Sequence, residues 1–474
     1  MLHRVRISPG FSVSQAVIMI CYFATLIYAG CYKSSPFSDP VRAGWVAVSQ
    51  LPIVIALATK NNIIGTLMGF TYEKLNYLHR FIGQLIVIAA NIHSLGYFYK
   101  WSIGGTFQAS ISTPHIIWGL VGLVALDCIF FFSLSFWRNR YHNIMLPVHI
   151  IGLVIAIPAI WMHKPSTMRW MCACIGIYGF DHVCRFIKTR ISTATIRPLP
   201  EMNSTRVEVP YINGGWRAGQ HVRLRVLTFG LGWFGWTEAH PFTIASVADG
   251  EEGIILLVKK SGRWTGRLYD MAKSSGFTEA GQGRRVKVMV EGPYGGPCHS
   301  VFASYSAAVF IVGGSGITFA LSAIQDLIRE DLAGRSRVKS ITLIWSIQDP
   351  SALHPLLPRL MSMIQESVYT PIHISVHYTR VSANGTKPRP PVAHPQLMLS
   401  SGRPQILKSL QAALARAVSL VEDARDERRV SGMLVGVCGP VGLGDDVSKA
   451  VATVDPSRRD QVGGIEIHEE VFGL

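Results

Sequence analysis

The sequence predicts a multidomain membrane protein: an α-helical transmembrane bundle of about six spans in residues 1–190, a small β-barrel in 191–300 and an α/β domain with a parallel sheet in 301–474. Three observations predict this. Hydrophobic residues make up 49% of the chain, mean hydropathy is +0.29, and the longest apolar runs come before about residue 190. Such runs match a hydrocarbon core of ~30 Å. Residues 191–300 then show short β-like runs between Gly-rich turns, the pattern of a barrel or sandwich. From 301 onward strands alternate with helices, which marks a parallel sheet covered on both faces. A length of 474 residues accommodates two to four domains of ~100–200 residues each.

The spans are expected at about 13–32, 43–59, 77–99, 114–134, 144–163 and 168–187. The first apolar run reads as a span rather than a cleaved signal. Lys and Arg set the orientation. With both ends inside, the inner flanks hold Arg4, Arg6, Lys60, Lys74, Arg138, Arg140, Lys188 and Arg190. The outer flanks hold Lys33, Arg42, Lys100, Lys164 and Arg169. This modest bias favours an inside N-terminus and an inside soluble half. Pro158 removes a backbone hydrogen bond from the fifth span and is expected to bend it.

Four histidines stand in two of these spans. His79 and His93 are fourteen residues apart, and His149 and His163 repeat that spacing. Fourteen residues is nearly a whole number of helical turns, so each pair projects from one face, ~21 Å apart along the axis. The topology makes the third and fifth spans parallel. His79 then meets His149 near the inner surface, and His93 meets His163 near the outer one. Facing imidazoles in lipid suit the clamping of a haem iron from both sides, and two stacked haems would carry electrons across the bilayer. A lone histidine in a span is as readily a hydrogen-bonded core residue. It is the repeated spacing that favours ligation.

Other residues near these pairs leave alternatives open. Arg80 reads equally as a side chain snorkelling to the surface or as a partner for a haem propionate. His115 opens the fourth span as an interfacial histidine or a group that receives the acceptor. His142 reads as structural. The eight cysteines form no disulfide framework and no C-x-x-C-H, so the haems would be non-covalent, of b type. Cys172 and Cys174 read as packing residues. The net charge of +16 comes with no nucleic-acid motif. It suits an anionic leaflet and a dinucleotide site instead.

In the soluble half the β-like runs are RVEVPYI, HVRLRVL, GIILLVKK and RRVKVMVEG. The α/β half reads as strand AAVFIVGG, helix TFALSAIQDLIRE, strand SITLIWSI, helix LLPRLMSMIQES, strand PIHISVHY, a later helix and strand GMLVGVCG. The stretch from Val381 to about Pro404 is rich in Pro, Ser and Gly and reads as a flexible insertion. The run EDARDERR reads as a solvated face. VGGSGIT places Gly313, Gly314, Ser315 and Gly316 between a buried strand and a helix. Glycines let the backbone approach a pyrophosphate, and the helix N-terminus supplies N–H donors. Thr318 offers a hydroxyl donor. A plain tight connection explains such a turn about as well, and it is neither a G-x-G-x-x-G nor a P-loop.

Taken in order, these motifs resemble the fungal ferric-chelate reductases of plasma membranes, a transmembrane flavocytochrome b family related to the NADPH oxidases. The resemblance runs from about Arg42 to Leu474. QLPIVIALATKNN, LMGFTYEKLNYLHRFIG and the second histidine pair carry it in the membrane half. It implies a ferredoxin-reductase-like barrel that binds FAD through Gly219, Gln220, His240, Pro241, Phe242 and Thr243, with Lys259, Gly262 and Thr265 at the pyrophosphate. Phe472 falls where relatives stack an aromatic on the flavin. The resemblance places Gly292, Pro293, Tyr294, Gly295, Gly313, Gly314, Ser315, Gly316, Thr318, Cys438, Gly439 and Pro440 around NADPH.

Two departures stand out. Gln348 replaces an expected Arg, which weakens NADPH over NADH, and the last residue, Leu474, is not aromatic.

The activity implied is electron transfer from cytosolic NADPH through FAD and two b-type haems to ferric or cupric chelates, siderophores among them, outside a plasma membrane. Superoxide production is the alternative within the enzyme class. A haem-binding scaffold or channel with a silent reductase half is the alternative outside it, and the intact HPFTIAS, GPYGG and CGP segments weigh against it. The lipid bilayer is the expected partner, and nucleic acid is not.

Overall fold

The computed structural model describes residues 6–8, 10–35, 38–274, 283–297, 300–380, 394–423 and 431–471. The chain forms two compact units. One spans Val13–Ile187. The other joins the residues up to Ser12 with those from Lys188 onward. Residues 6–8 and 10–12 thus group with the reductase half rather than with the membrane domain expected over 1–190.

That N-terminal segment is a small hairpin of β1 (Arg6–Ser8) and β2 (Phe11–Ser12). Arg6 pairs with Glu469 and, at 3.5 Å, with Asp445, both in the C-terminal part of the reductase unit.

The membrane unit is all helical: α1 (Val13–Cys31), α2 (Pro40–Ala58), α3 (Ile63–Met68), α4 (Tyr72–Ile103), α5 (Phe107–Ile111), α6 (Pro114–Ser133), α7 (Ser135–Arg140), α8 (His142–His163) and α9 (Met168–Ile187). Pro opens both α2 and α6 at the first turn, where its missing N–H has no intrahelical partner to lose. α2 packs along α4, and α6 along α8. Leu51, Val54 and Ile55 of α2 meet Ile82 and Ile86 of α4 and Met171 and Cys174 of α9 in one core. Val87, Ala125, Leu126 and Ala156 form a second. A Cβ at Gly152 would meet Ile129 at 2.6 Å, so this glycine sets how closely α8 approaches α6.

Among the described residues, α1, α2, α4, α6 and α8 are long and apolar enough to cross a membrane. The sixth expected span forms as α9 but is not among these five. It carries Arg169, Asp181, His182 and Arg185, which dilute its apolar character. Asp181 is nonetheless buried, and it accepts hydrogen bonds from the Asn61 backbone N–H at 2.8 Å and the Asn61 amide at 2.9 Å.

The reductase unit begins with β3 (Thr189–Leu199), β4 (Ser204–Val209), β5 (Gln220–Val226), β6 (His240–Thr243), β7 (Ile254–Lys259), helix α10 (Arg263–Lys273) and β8 (Arg284–Gly295). The strands form one antiparallel sheet ordered β6-β5-β8-β3-β4-β7. A bridge between Ile244 and Leu256 joins its two ends and closes the barrel. The runs read from the sequence contain β7 and overlap β4, β5 and β8. β3 escaped that reading because RISTATIRPL alternates small and polar residues, with only Ala194 and Ile196 deeply buried.

The α/β part follows: β9 (Ala307–Gly313), α11 (Ile317–Leu332), β10 (Ser340–Ile347), α12 (Leu357–Glu366), β11 (Ile372–Tyr378), β12 (Leu397–Ser401), α13 (Ile406–Asp423), β13 (Met433–Gly439), α14 (Val441–Thr453), α15 (Pro456–Gln461) and β14 (Ile465–Val471). The sheet is parallel, ordered β12-β11-β10-β9-β13-β14. Separate apolar clusters fill its two faces. The expected flexible insertion is corrected in part. Leu397–Ser401 is an ordered edge strand paired with β11, because Leu397 is buried against the sheet. Residues 381–393 and 424–430, which include most of EDARDERR, lie outside the described residues.

Candidate functional site

The four histidines meet in two pairs. The His79 and His149 ring centres are 6.2 Å apart, and so are those of His93 and His163. The lower-numbered members pair and the higher-numbered members pair, which requires α4 and α8 to run parallel. Two metal–nitrogen bonds of about 2 Å, with each ring centre roughly 1 Å beyond its nitrogen, also add to about 6 Å. The spacing at both levels therefore fits one metal ion held between two imidazoles.

The second ring nitrogens are engaged. His79 Nδ1 lies 2.8 Å from the Val54 carbonyl, His93 Nδ1 2.8 Å from that of Pro40, and His163 Nδ1 2.8 Å from that of His115. His149 Nδ1 lies 3.0 Å from the Ser133 hydroxyl. A carbonyl partner fixes the proton on Nδ1 and turns the Nε2 lone pair outward, the tautomer a metal needs. Among the described residues no protein group hydrogen-bonds Nε2 of any of the four.

Two glycines make room for the His93 and His163 rings. A Cβ at Gly44 would lie 2.8 Å from His93 Nδ1, and one at Gly119 would lie 2.6 Å from His163 Nδ1. Each glycine sits four residues after the accepting carbonyl, Pro40 or His115. A helical Cβ tilts toward the N-terminus, so a side chain at that position would cover the carbonyl the ring must reach. Sequence reasoning missed these glycines. The available signal was a second-turn glycine in both PVRAG and HIIWG. His115 orients His163 through its backbone, and its ring lies 6.3 Å from that of His163.

In the barrel, His240, Pro241, Phe242 and Thr243 form β6, an end strand of the sheet. His240 Nε2 lies 3.0 Å from Glu238. Trp264, unforeseen from the sequence, packs its ring 4.5 Å from His240 and 6.2 Å from Phe242. It thereby joins β6 to the first turn of α10, where Gly262 is the N-cap. A helix N-terminus suits an anion such as a pyrophosphate. Thr265 is part of that turn rather than a free donor, since its hydroxyl donates to the Gly262 carbonyl at 3.1 Å and accepts from the Gly262 N–H at 2.9 Å and the Ser261 N–H at 3.0 Å. Lys259 ends β7 exposed, next to this turn. Gly219 adopts φ 83° and donates its N–H to Ser322 at 3.2 Å. Gln220 accepts from the Arg217 N–H at 2.8 Å and pairs in register with Gly295.

The glycine turns of the α/β part converge. β9 has β10 on one side and β13 on the other, so the strand order reverses there, and ligands bind at such a crevice. Gly313–Gly316 and Cys438–Pro440 line its two sides. A Cβ on Gly439 would lie 3.2 Å from the Gly313 nitrogen, and one on Gly316 would collide with the Cys438 carbonyl. Trp345, also unforeseen, donates its indole N–H to the Gly314 carbonyl at 3.0 Å and steadies the turn. Cys438 is fully buried, and burial, then the Glu470 carboxylate, push its thiol well up. The thiol is therefore neutral at physiological pH. Glu470 in turn lies 2.9 Å from His468 Nε2.

Three expected contacts differ in detail. Thr318 donates its hydroxyl to Ser315 at 3.1 Å, so its proton already has an acceptor. Tyr294 is buried, with its hydroxyl on Glu291 at 3.1 Å, so its ring packs within the barrel while Gly292, Pro293 and Gly295 shape the turn. Phe472 lies outside the described residues.

Three family descriptions match the chain in succession: the ferric reductase-like transmembrane component over residues 43–160, an FAD-binding domain over 189–298 and the ferric reductase NAD-binding domain over 305–452. The chain belongs to the ferric reductase family of membrane proteins. Among similar proteins is a probable cell surface ferric reductase of Aspergillus oryzae, 26% identical, with 73% of this chain and 49% of that protein covered. Ferric reductase transmembrane component 1 of Schizosaccharomyces pombe is 23% identical, with 71% and 64% covered. Ferric/cupric reductase transmembrane component 1 of Candida albicans is 25% identical, with 70% and 43% covered. The chain thus spans about half to two thirds of the length of these curated relatives.

Proposed function

We propose that this chain carries electrons from NADPH through FAD and two b-type haems to a ferric or cupric chelate, siderophores included, on the opposite side of a plasma membrane. The observation that carries the proposal is the stacking of two imidazole pairs, each 6.2 Å between ring centres, on two parallel helices. When bound, FAD turns a two-electron donor into single electrons and the haems relay them.

The chain's own residues do the rest. His79 with His149, and His93 with His163, would hold one haem at each level, and the haems would supply one-electron relay between the two levels. Val54, Pro40, His115 and Ser133 hold the rings in the coordinating orientation. β6 and the first turn of α10 would hold the flavin and its pyrophosphate, with Trp264 fixing one to the other. The Gly313–Gly316 and Cys438–Pro440 turns would let the dinucleotide approach by backbone contact. Gln348, in place of an arginine, makes NADPH over NADH the weaker part of the proposal.

The orientation has its own support. Arg6, before the first span, pairs with Asp445 and Glu469 of the reductase unit. This supports one side of the membrane for both ends of the helical unit, and so an even number of crossings with α9 as the sixth. The Lys and Arg bias supports the cytosol for that side.

The test is an NADPH-driven assay on purified membranes, read with a ferrous-chelating dye and, in parallel, a superoxide dismutase-sensitive probe. Dye colour insensitive to dismutase is expected. Superoxide as the sole product would overturn the metal-reductase reading.

A further inference from the structure

Between β5 and β6 the chain runs FGLGWFGWTEA, residues 229–239. Phe229, Trp233 and Phe234 are 78%, 88% and 78% exposed, and Trp236 is 41% exposed. Single exposed apolar residues are ordinary, whereas a contiguous aromatic patch marks a contact surface.

This loop is built to present its rings. Leu231 is buried in the barrel core, and Arg267 of α10 donates to its carbonyl at 2.6 Å. Trp264 donates its indole N–H to the Gly235 carbonyl at 2.9 Å. Within the loop, the Gly232 N–H reaches the Phe229 carbonyl at 2.8 Å, the Gly235 N–H that of Gly232 at 3.0 Å, and the Trp236 indole that of Trp233 at 2.8 Å. The turn is thus tied to the core from inside while its aromatic side chains point to solvent. Ordering a loop on docking is costly, and here folding has already done it.

The surroundings say what the patch fits. Trp and Phe favour the headgroup boundary of a bilayer. At the root of the loop the Leu227 N–H donates to the Lys287 carbonyl at 2.9 Å. Lys287 and Arg285 are exposed on β8, and Arg225 lies across from Met289 on the same outer face. Basic side chains beside an aromatic tip complement an anionic leaflet. Reach is sufficient as well. Lys287 pairs with Thr193, six residues beyond the end of α9, which at about 3.3 Å per residue is roughly 20 Å of chain at most.

We propose that residues 229–236 form a membrane-contacting loop that seats Phe229, Trp233 and Phe234 at the headgroup level of the leaflet facing the reductase unit. The inference rests on the membrane embedding and the sidedness proposed above, and not on haem ligation or on the acceptor.

The test uses the full-length, FAD-loaded protein in nanodiscs of phosphatidylcholine and phosphatidylserine, with and without bromine at shallow acyl positions. The chain has eleven Trp residues, so the Trp233 signal is read as wild type minus Trp233→Phe, which keeps an apolar ring. Brominated lipid is expected to cut that emission at least twofold while aqueous acrylamide leaves it nearly unchanged. Quenching by acrylamide and not by brominated lipid means the ring stays in water and overturns the proposal. Quenching by neither means that protein, flavin or a second copy covers it, and overturns the proposal equally. No arm depends on metal reduction, so a failed acceptor assay and a failed insertion assay remain distinct results.

Discussion

On the proposed function, the membrane unit would place its chemistry in side chains, and the reductase unit most of it in backbone turns. In the former, four imidazoles at a fixed helical period meet in two pairs, and the backbone serves them by lending carbonyls. In the latter, Gly313–Gly316 and Cys438–Pro440 would matter for the space they leave, while Trp345 holds the Gly314 turn and Trp264, in the barrel, holds the Gly235 turn. The two units should therefore respond differently to mutation. Losing a functional side chain should cost the membrane unit most. Adding a methyl group should cost the reductase unit most.

The largest effect is expected from His93→Ala. It should remove the outer haem and lower acceptor reduction by more than about tenfold, while NADPH still reduces the flavin in stopped-flow absorbance. Loss of flavin reduction in that variant would break the separation between the units. Gly316→Ala is the converse experiment. Its Cβ collides with the Cys438 carbonyl, and overpacking of this kind costs about 1–3 kcal/mol. NADPH-driven flavin reduction should fall steeply with haem content unchanged, as read from both spectra of one preparation.

Gly119→Ala sharpens the comparison, because it adds a methyl group inside the membrane unit. A Cβ there sits 2.6 Å from His163 Nδ1 and should turn that ring away from its carbonyl. Disturbing such a partner typically costs 10–100-fold in metal affinity, so partial loss of one haem is expected, with the inner pair intact.

The smallest effect concerns pH. His373 and His377 on β11 are held below the ordinary histidine value of 6.5, both by burial and His373 also by the Arg416 charge. Their folded values are depressed, so below about pH 6.5 the unfolded chain binds protons that the folded chain does not. Stability is full above that pH and declines as pH falls through it. Replacing both histidines with Gln should flatten the acid side of a melting curve followed by flavin fluorescence, with little change at pH 8.

The same contrast explains what the sequence made legible. The span positions and the pairing of His79 with His149 and of His93 with His163 followed from period and charge, because a helix turns spacing into geometry. Gly44 and Gly119 were hidden, since their role depends on a ring arriving from another helix. β3 was hidden because Ala194 and Ile196, its deeply buried residues, stand alone between Ser, Thr and Arg. Leu397–Ser401 was hidden inside a Pro-rich stretch. Trp264 and Trp345 were invisible for a related reason. An aromatic in a helix or strand reads as core until its N–H is seen on a particular carbonyl. The hydroxyl of Thr318 was read as a ligand donor and Thr265 was placed at the pyrophosphate by resemblance, whereas each hydroxyl already bonds within its own turn, a local competition that Ser and Thr often enter.

The most direct test of the central claim is a cofactor count. Reduced-minus-oxidised haem and released FAD are measured on one purified preparation of the full chain and of variants at the four histidines. The account predicts two haems per FAD in the parent chain, one after His93→Ala or His163→Ala, and one after His79→Ala or His149→Ala. A parent protein that binds FAD but no haem, or single variants that keep both haems, would contradict it.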